Sequence, residues 1–316
     1  MATLLASGAS AEPQFVHHRA YDPFNALFGV PAIALRTTQQ SIQLGLTHNN
    51  VFMGGVAGEN EQGQRLTLDG ETSQITVRYS RRLNSCWALE ASGSWVAHSR
   101  GWFDRSIDDW HQVFGLPDAG RDEVPFHQLN YGWSNNTAEG VGFELDQAAR
   151  GLGDAFVGAQ RYLRCDQDST LFRAGVKLPL GSLSDWTGSG STDAFVDAQT
   201  GWWKPRAGHA FAGSVGMLLP GSVREIQAQQ SVVAYGTLAW QWQVIPPVSV
   251  GLQFDWHTAT LDSDLEEVGS TAGMLSMNSS YITQQGTRFD FSVFEDIIVD
   301  TAPDIAIRLA FTRHYP

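Results

Sequence analysis

From Ser41 to the end of the chain, apolar residues recur at every second position over stretches of roughly 9 to 13 residues, and a period of two commits those stretches to strands. In 249–259, Val250, Leu252, Phe254 and Trp256 share one face, opposed by Gly251, Gln253, Asp255 and His257. The same sorting sets Phe172, Ala174, Val176 and Leu178 against Arg173, Gly175 and Lys177. Strands in a soluble sandwich commonly run about 5 or 6 residues, whereas about 10 suit a tilted bilayer crossing. No apolar run reaches the roughly 18 residues that a transmembrane helix requires. The pattern therefore predicts an all-β fold, a transmembrane antiparallel β-barrel with a wet, polar interior, and a soluble all-β protein is the competing class.

Fourteen segments carry the pattern, near 41–52, 72–82, 87–99, 126–134, 139–149, 154–165, 170–180, 193–203, 209–219, 230–243, 249–259, 272–283, 287–297 and 303–313. Their connections alternate between compact turns at 83–85, 204–208 and Pro246-Pro247 and long loops at 53–71, 101–125, 181–192 and 260–271. This is the parity of an outer-membrane barrel with short periplasmic turns and long outward loops. Fourteen strands is the favoured count; twelve is the alternative. Residues 303–313 read as the last strand, with Ile305, Ile307, Leu309 and Phe311 in phase.

The small-residue run Ala9-Ser10-Ala11 makes 1–11 resemble a residual signal peptide, which favours export. Residues 12–40 then form a periplasmic or luminal segment, and 41–316 the barrel. Twenty Lys and Arg against 33 Asp and Glu leave a net charge of −13, a balance that disfavours nucleic acid as a partner. Two cysteines, Cys86 and Cys165, exclude a disulfide-dense scaffold; their spacing allows one bridge, but two unconnected residues is the simpler expectation.

Within the second long loop, Phe103, Ile107, Trp110 and Phe114 share one helical face, and Asp104, Asp108, Asp109 and His111 lie around it. The short helix so predicted either folds into the lumen as a constriction or covers the rim. The segments DPFNALFGVP (22–31), LDG (68–70), AHSRGWFDRSIDDWHQVFGLPDAGRD (97–122), GLGDAF (151–156), KLPLG (177–181), GSGSTD (188–193) and FEDIIVDTAPD (294–304) together resemble DUF3187, a proteobacterial family of unknown function. That resemblance implies an outer-membrane barrel of a Gram-negative bacterium and supplies neither substrate nor catalytic residue.

Inward-facing or constriction candidates are Arg78, Glu90, Asp104, Asp108, Trp110, His111, Glu144, Arg173, Lys177, Asp197, Asp255, His257, Asp290 and Arg308. They would filter a small solute by local field and hydrogen bonding, or form a solvated, ion-paired interior without a role in passage. The reading is an outer-membrane channel or passive transporter, with lipids, lipopolysaccharide and the assembly machinery as partners. No motif for a metal or other cofactor stands in the required context. The competing classes are a barrel-embedded lipid hydrolase and a structural or adhesive protein. For the hydrolase the nearest hints are His48 with Asn49, His98 beside Ser99, and Asp255 with His257.

Overall fold

The structure is a computed structural model that describes residues 15–34, 37, 39–53, 63–103, 125–135, 141–165, 167–204, 207–298 and 305–315. Its strands are β1 (Gln40–Met53), β2 (Gln64–Arg82), β3 (Trp87–Ser99), β4 (Asn130–Asn135), β5 (Val141–Leu145), β6 (Ala149–Leu152), β7 (Ala155–Arg164) and β8 (Gln167–Leu178). They continue with β9 (Asp193–Lys204), β10 (His209–Leu219), β11 (Val233–Ile245), β12 (Val248–His257), β13 (Ala272–Ile282), β14 (Thr287–Asp296) and β15 (Ile305–Tyr315). Twelve of them, β1 to β3 and β7 to β15, pair antiparallel with their neighbours around a ring. The ring closes where β15 meets β1, from Gln40 opposite Tyr315 to Asn50 opposite Ile305. Among the described residues no helix is long and apolar enough to cross a membrane.

The alternation sorts the ring as the sequence predicts. Leu44, Val215, Leu238 and Leu309 stand outward at 48, 57, 64 and 56% exposure, a surface that only hydrocarbon would accept around the whole circumference. Trp87, Trp202, Trp242, Tyr281 and Tyr315 ring the end bearing the short turns, as an interfacial aromatic girdle does. Closure gives every ring strand two partners, so no open edge is left in the apolar belt.

Twelve, the alternative count, replaces fourteen. The expected strands at 126–134 and 139–149 correspond to β4 and β5, a hairpin that pairs only with Gln64–Asp69 of β2, beyond the point where β3 has left that strand. Tyr131 and Trp133 are fully buried there, so the hairpin alternates like a ring strand but packs over the loop end of the barrel instead of crossing lipid. The expected loop 53–71 is also shorter, since β2 starts at Gln64. β6 and β7 are two pieces of one path along β3. Leu152 faces Trp95 and Phe156 faces Ser92, a one-residue slip at Gly153-Asp154 that turns the Asp154 carboxylate inward to Lys177, 3.2 Å away.

The cysteines depart from expectation. Cys86 and Cys165 form a disulfide with Cα atoms 4.4 Å apart, because β3 and β7 are neighbours and their turns end side by side. The 79-residue sequence separation hides that adjacency. Replacing both (Cys86→Ala with Cys165→Ala) should lower the unfolding free energy of the barrel, read from urea unfolding in micelles, by up to about 4 kcal/mol on chain-entropy grounds. The double variant and the reduced wild-type protein should then unfold on superimposable curves.

Candidate functional site: the barrel interior

An inward-facing polar side chain needs a partner, and residues 15–34 with Thr37 supply many of them. The segment enters at the turn end, where Phe15 packs with Ala210, Ala212 and Ala239. Gln253 of β12 receives the Val16 N–H at 3.2 Å and donates back to the Val16 carbonyl at 3.1 Å. Arg19 then donates to the Gly236 carbonyl (2.6 Å), the Trp256 carbonyl (3.0 Å) and Thr237 Oγ1 (3.0 Å), with Asp255 at 3.5 Å.

At the loop end the segment forms a single helical turn, α1 (Pro23–Phe28). Asp22 caps it: Oδ1 accepts the N–H groups of Phe24 and Asn25, both at 2.8 Å, and Pro23 occupies a position where no donor is needed. Burial pushes the Asp22 carboxyl up to about 6, against the pull of these hydrogen bonds. Gly29 ends the turn at φ 59°, a left-handed conformation that reverses the chain. Phe24, Leu27 and Phe28 are buried with Leu68, Trp133 and Trp186, so the helix is the centre of the loop-end core.

The chain then returns to the turn end along β7, β8 and β9. Lys177 Nζ donates to the Leu27 carbonyl at 2.6 Å and Arg173 Nη2 to the Ala32 carbonyl at 2.8 Å. Gln199 accepts the Ala34 N–H at 3.1 Å, and Tyr162 Oη the Thr37 N–H at 2.8 Å. The two passes are tied to each other, His17 Nδ1 to the Ile33 carbonyl at 2.9 Å and Tyr21 Oη to the Val30 carbonyl at 2.7 Å. Residues 15–34, with Thr37 beyond them, are thus an internal hairpin plug.

A cavity of about 170 Å³ lies between this plug and the wall built by β1, β2, β3, β7 and β8. It extends from the level of Arg78 and Glu90 to that of Thr72 and His98, and its lining includes Arg173 and Lys177. The wall charges mostly neutralise one another. Arg173 bridges Asp197 (2.6 Å) and Glu90 (3.1 Å), and Tyr235 donates to Asp197 at 2.8 Å. Lys177 lies between Asp193 (2.5 Å) and Asp154 (3.2 Å).

Of the residues singled out from sequence, Arg78, Glu90, Arg173 and Lys177 meet at this cavity, and Asp197 backs it through Arg173. Asp255 holds the plug through Arg19, Asp290 pairs with Arg288 at 2.5 Å, and Arg308 donates to Thr47 at 2.8 Å. His257 faces inward against Tyr21. Glu144 is misplaced by the sequence reading: it is exposed on β5, outside the ring, so it does not face the lumen. Asp104, Asp108, Trp110 and His111, and with them most of the predicted loop helix, lie outside the described residues.

His98 binds Thr72 Oγ1 and the Trp186 carbonyl, while the alternation sends Ser99 to the opposite face, so that pair forms no dyad. His257 Nδ1 is used by the Thr258 carbonyl, and Asp255 by Arg19, Thr237 and Gln253. Missed from sequence were Arg19, Asp22 and Asn25 of the plug and its wall partners Gln160, Gln199 and Gln253; inward phase on a predicted strand was the signal available for the glutamines.

A closed antiparallel barrel with an apolar exterior and a plugged polar interior has the architecture of outer-membrane proteins. The chain belongs to the family described as protein of unknown function (DUF3187), whose model matches residues 6–315. Its fold is similar to that of the COG4313 outer membrane channel from Pseudomonas putida F1, at a TM-score of 0.54 and 11% identity over 90% of this chain and 97% of that one. More distant likenesses are the P. putida toluene transporter TodX (TM-score 0.43, 9% identity, 93% and 92% covered) and the NanC porin (0.45, 7%, 88% and 100%). No curated protein matches the sequence.

Arg173 organises the wall, and its loss would leave the buried Asp197 and the partly buried Glu90 without their cation. Arg173→Met should cost about 3 kcal/mol, with Arg173→Met/Asp197→Leu recovering part of that, both read from urea unfolding in micelles.

Proposed function

We propose that the protein is a plug-gated channel of the Gram-negative outer membrane through which a small polar solute moves down its gradient, with no bond made or broken. Lipopolysaccharide and lipids surround the apolar belt in this reading, and the barrel assembly machinery inserts it. The observation that carries it is the cavity between the plug and the β1–β3 wall, which follows the strand direction from Arg78 to Thr72 and has Arg78, Glu90, Arg173 and Lys177 in its lining. Displacing the plug toward β12 would join that space to both ends. The ion-paired Glu90, Arg173 and Lys177, with Arg78 beside them, line this space with groups that can exchange hydrogen bonds with a solute, which suits a polar molecule better than an apolar one.

Planar-bilayer recording and liposome swelling test this with the full chain, a deletion of 15–34 and Arg19→Ala. The full chain should pass solute slowly, and both plug variants should raise conductance several-fold. Absence of flux in all three, with the barrel folded, would count against transport.

A further inference from the structure

On the outer face of the barrel, three side chains that the channel does not use come together. His48 of β1 and Ser73 of β2 are direct cross-strand partners, and Glu71 follows on the same face of β2 two residues nearer the loop end. His48 Nδ1 lies 2.9 Å from Ser73 Oγ, and His48 Nε2 lies 3.1 Å from Glu71 Oε2. An ionised carboxylate only accepts, so Nε2 carries the hydrogen, Nδ1 keeps its lone pair, and the Ser73 hydroxyl donates to it. Glu71 is fully buried; its Oε1 accepts the N–H groups of Trp102 (2.9 Å) and Phe103 (2.6 Å), whose rings pack on the imidazole at 5.9 and 5.6 Å. Anchoring this loop accounts for Glu71, but not for a serine held on the other nitrogen of the histidine.

The location specifies the substrate. On the turn-end side the same outward face continues as Leu46, Leu44 and Ile42 on β1 and Ile75 and Val77 on β2, all exposed, with Leu309 beside them on β15. Ser73 therefore stands at the upper edge of the lipid-facing belt, the depth at which acyl chains meet their ester carbonyls. We propose that Ser73, His48 and Glu71 form a nucleophile, base and orienting carboxylate that hydrolyse the carboxylic ester of a membrane lipid. Ser73 Oγ bonds to the acyl carbon while its proton passes to His48 Nδ1. The ester C–O bond breaks, and the leaving alcohol takes that proton. Water then adds to the acyl carbon while giving a proton to His48 Nδ1, the bond from Ser73 Oγ to the acyl carbon breaks, Ser73 Oγ takes that proton back, and the fatty acid leaves. Glu71 fixes the ring and stabilises the imidazolium formed in each half-reaction.

The test uses the full chain in mixed micelles with phosphatidylethanolamine and, separately, with lipid A, reading fatty-acid release by mass spectrometry and covalent labelling by a fluorophosphonate. The site should release fatty acid from at least one of the two, the productive arm naming the source, and the label should map to Ser73. Ser73→Ala and His48→Ala should each lower release by about a hundredfold or more, and Glu71→Gln should weaken it and shift its pH profile. Ser99→Ala should leave release unchanged. Heat-modifiable gel mobility checks that each barrel is folded. Wild-type protein that releases no more fatty acid than Ser73→Ala from either lipid, and takes no label at Ser73, would overturn the proposal whatever the bilayer recordings give.

Discussion

Hydrocarbon around a β-barrel accepts only apolar side chains on one face, and the pleat then sends every other residue inward, where it must be hydrated or find a partner. That constraint shapes the rest of this molecule. Along β8 the exposed Phe172 alternates with Arg173 and Lys177, which are buried at 4 and 1% exposure. Two buried cations in one strand are tolerable only with carboxylates close by, and the neighbouring β9 supplies Asp193 and Asp197 while the slip between β6 and β7 supplies Asp154.

The plug completes this polar interior in a particular way. Arg173 and Lys177 already have carboxylate partners in the wall, so the plug meets them through main-chain carbonyls at Ala32 and Leu27. Gln253 and Gln199 likewise engage its main chain at Val16 and Ala34. A segment seated mainly by its backbone depends little on side-chain identity along the return pass, which makes it hard to recognise as a plug from sequence. The apolar anchors Phe24, Leu27 and Phe28 are the exception, and they lie in the one stretch of the N-terminal segment with a recognisable cap, Asp22-Pro23, and stop, Gly29.

What was legible in the sequence was whatever a period of two can express. Local pattern alone puts Val250, Leu252, Phe254 and Trp256 on one face and Ile305, Ile307, Leu309 and Phe311 in one phase, and the ring turns those residues outward. What was not legible depends on pairing across distance. The β4–β5 hairpin alternates like a ring strand, and only its pairing to Gln64–Asp69 removes it from the ring and lowers the count to twelve. The bridge between Cys86 and Cys165 needs the adjacency of β3 and β7. Sequence adjacency joins His48 to Asn49, which points the opposite way and donates to the Tyr21 carbonyl; the partners of His48, 23 and 25 residues on, follow from the β1–β2 register.

The two sites differ in what it costs to disturb them. If the plug withdraws, Arg173 keeps Asp197 and Glu90, and Lys177 keeps Asp193 and Asp154, so no wall cation is left unpaired; what is lost is the burial of Phe24, Leu27 and Phe28 and a set of hydrogen bonds to main-chain and neutral groups. The contact between Arg19 and Asp255 is a charged tie in that set, and it concentrates the electrostatic resistance to plug movement near β11 and β12, across the lumen from the cavity. The outer trio has no such slack. Glu71 is buried with both oxygens engaged, and His48 is held on its ring nitrogens by two residues of one strand, so its geometry changes only if β1 and β2 move apart. A displaceable plug inside a fixed wall is what the proposed gate requires, and a fixed wall is what the proposed catalytic trio requires, so the two proposals make compatible demands on one barrel.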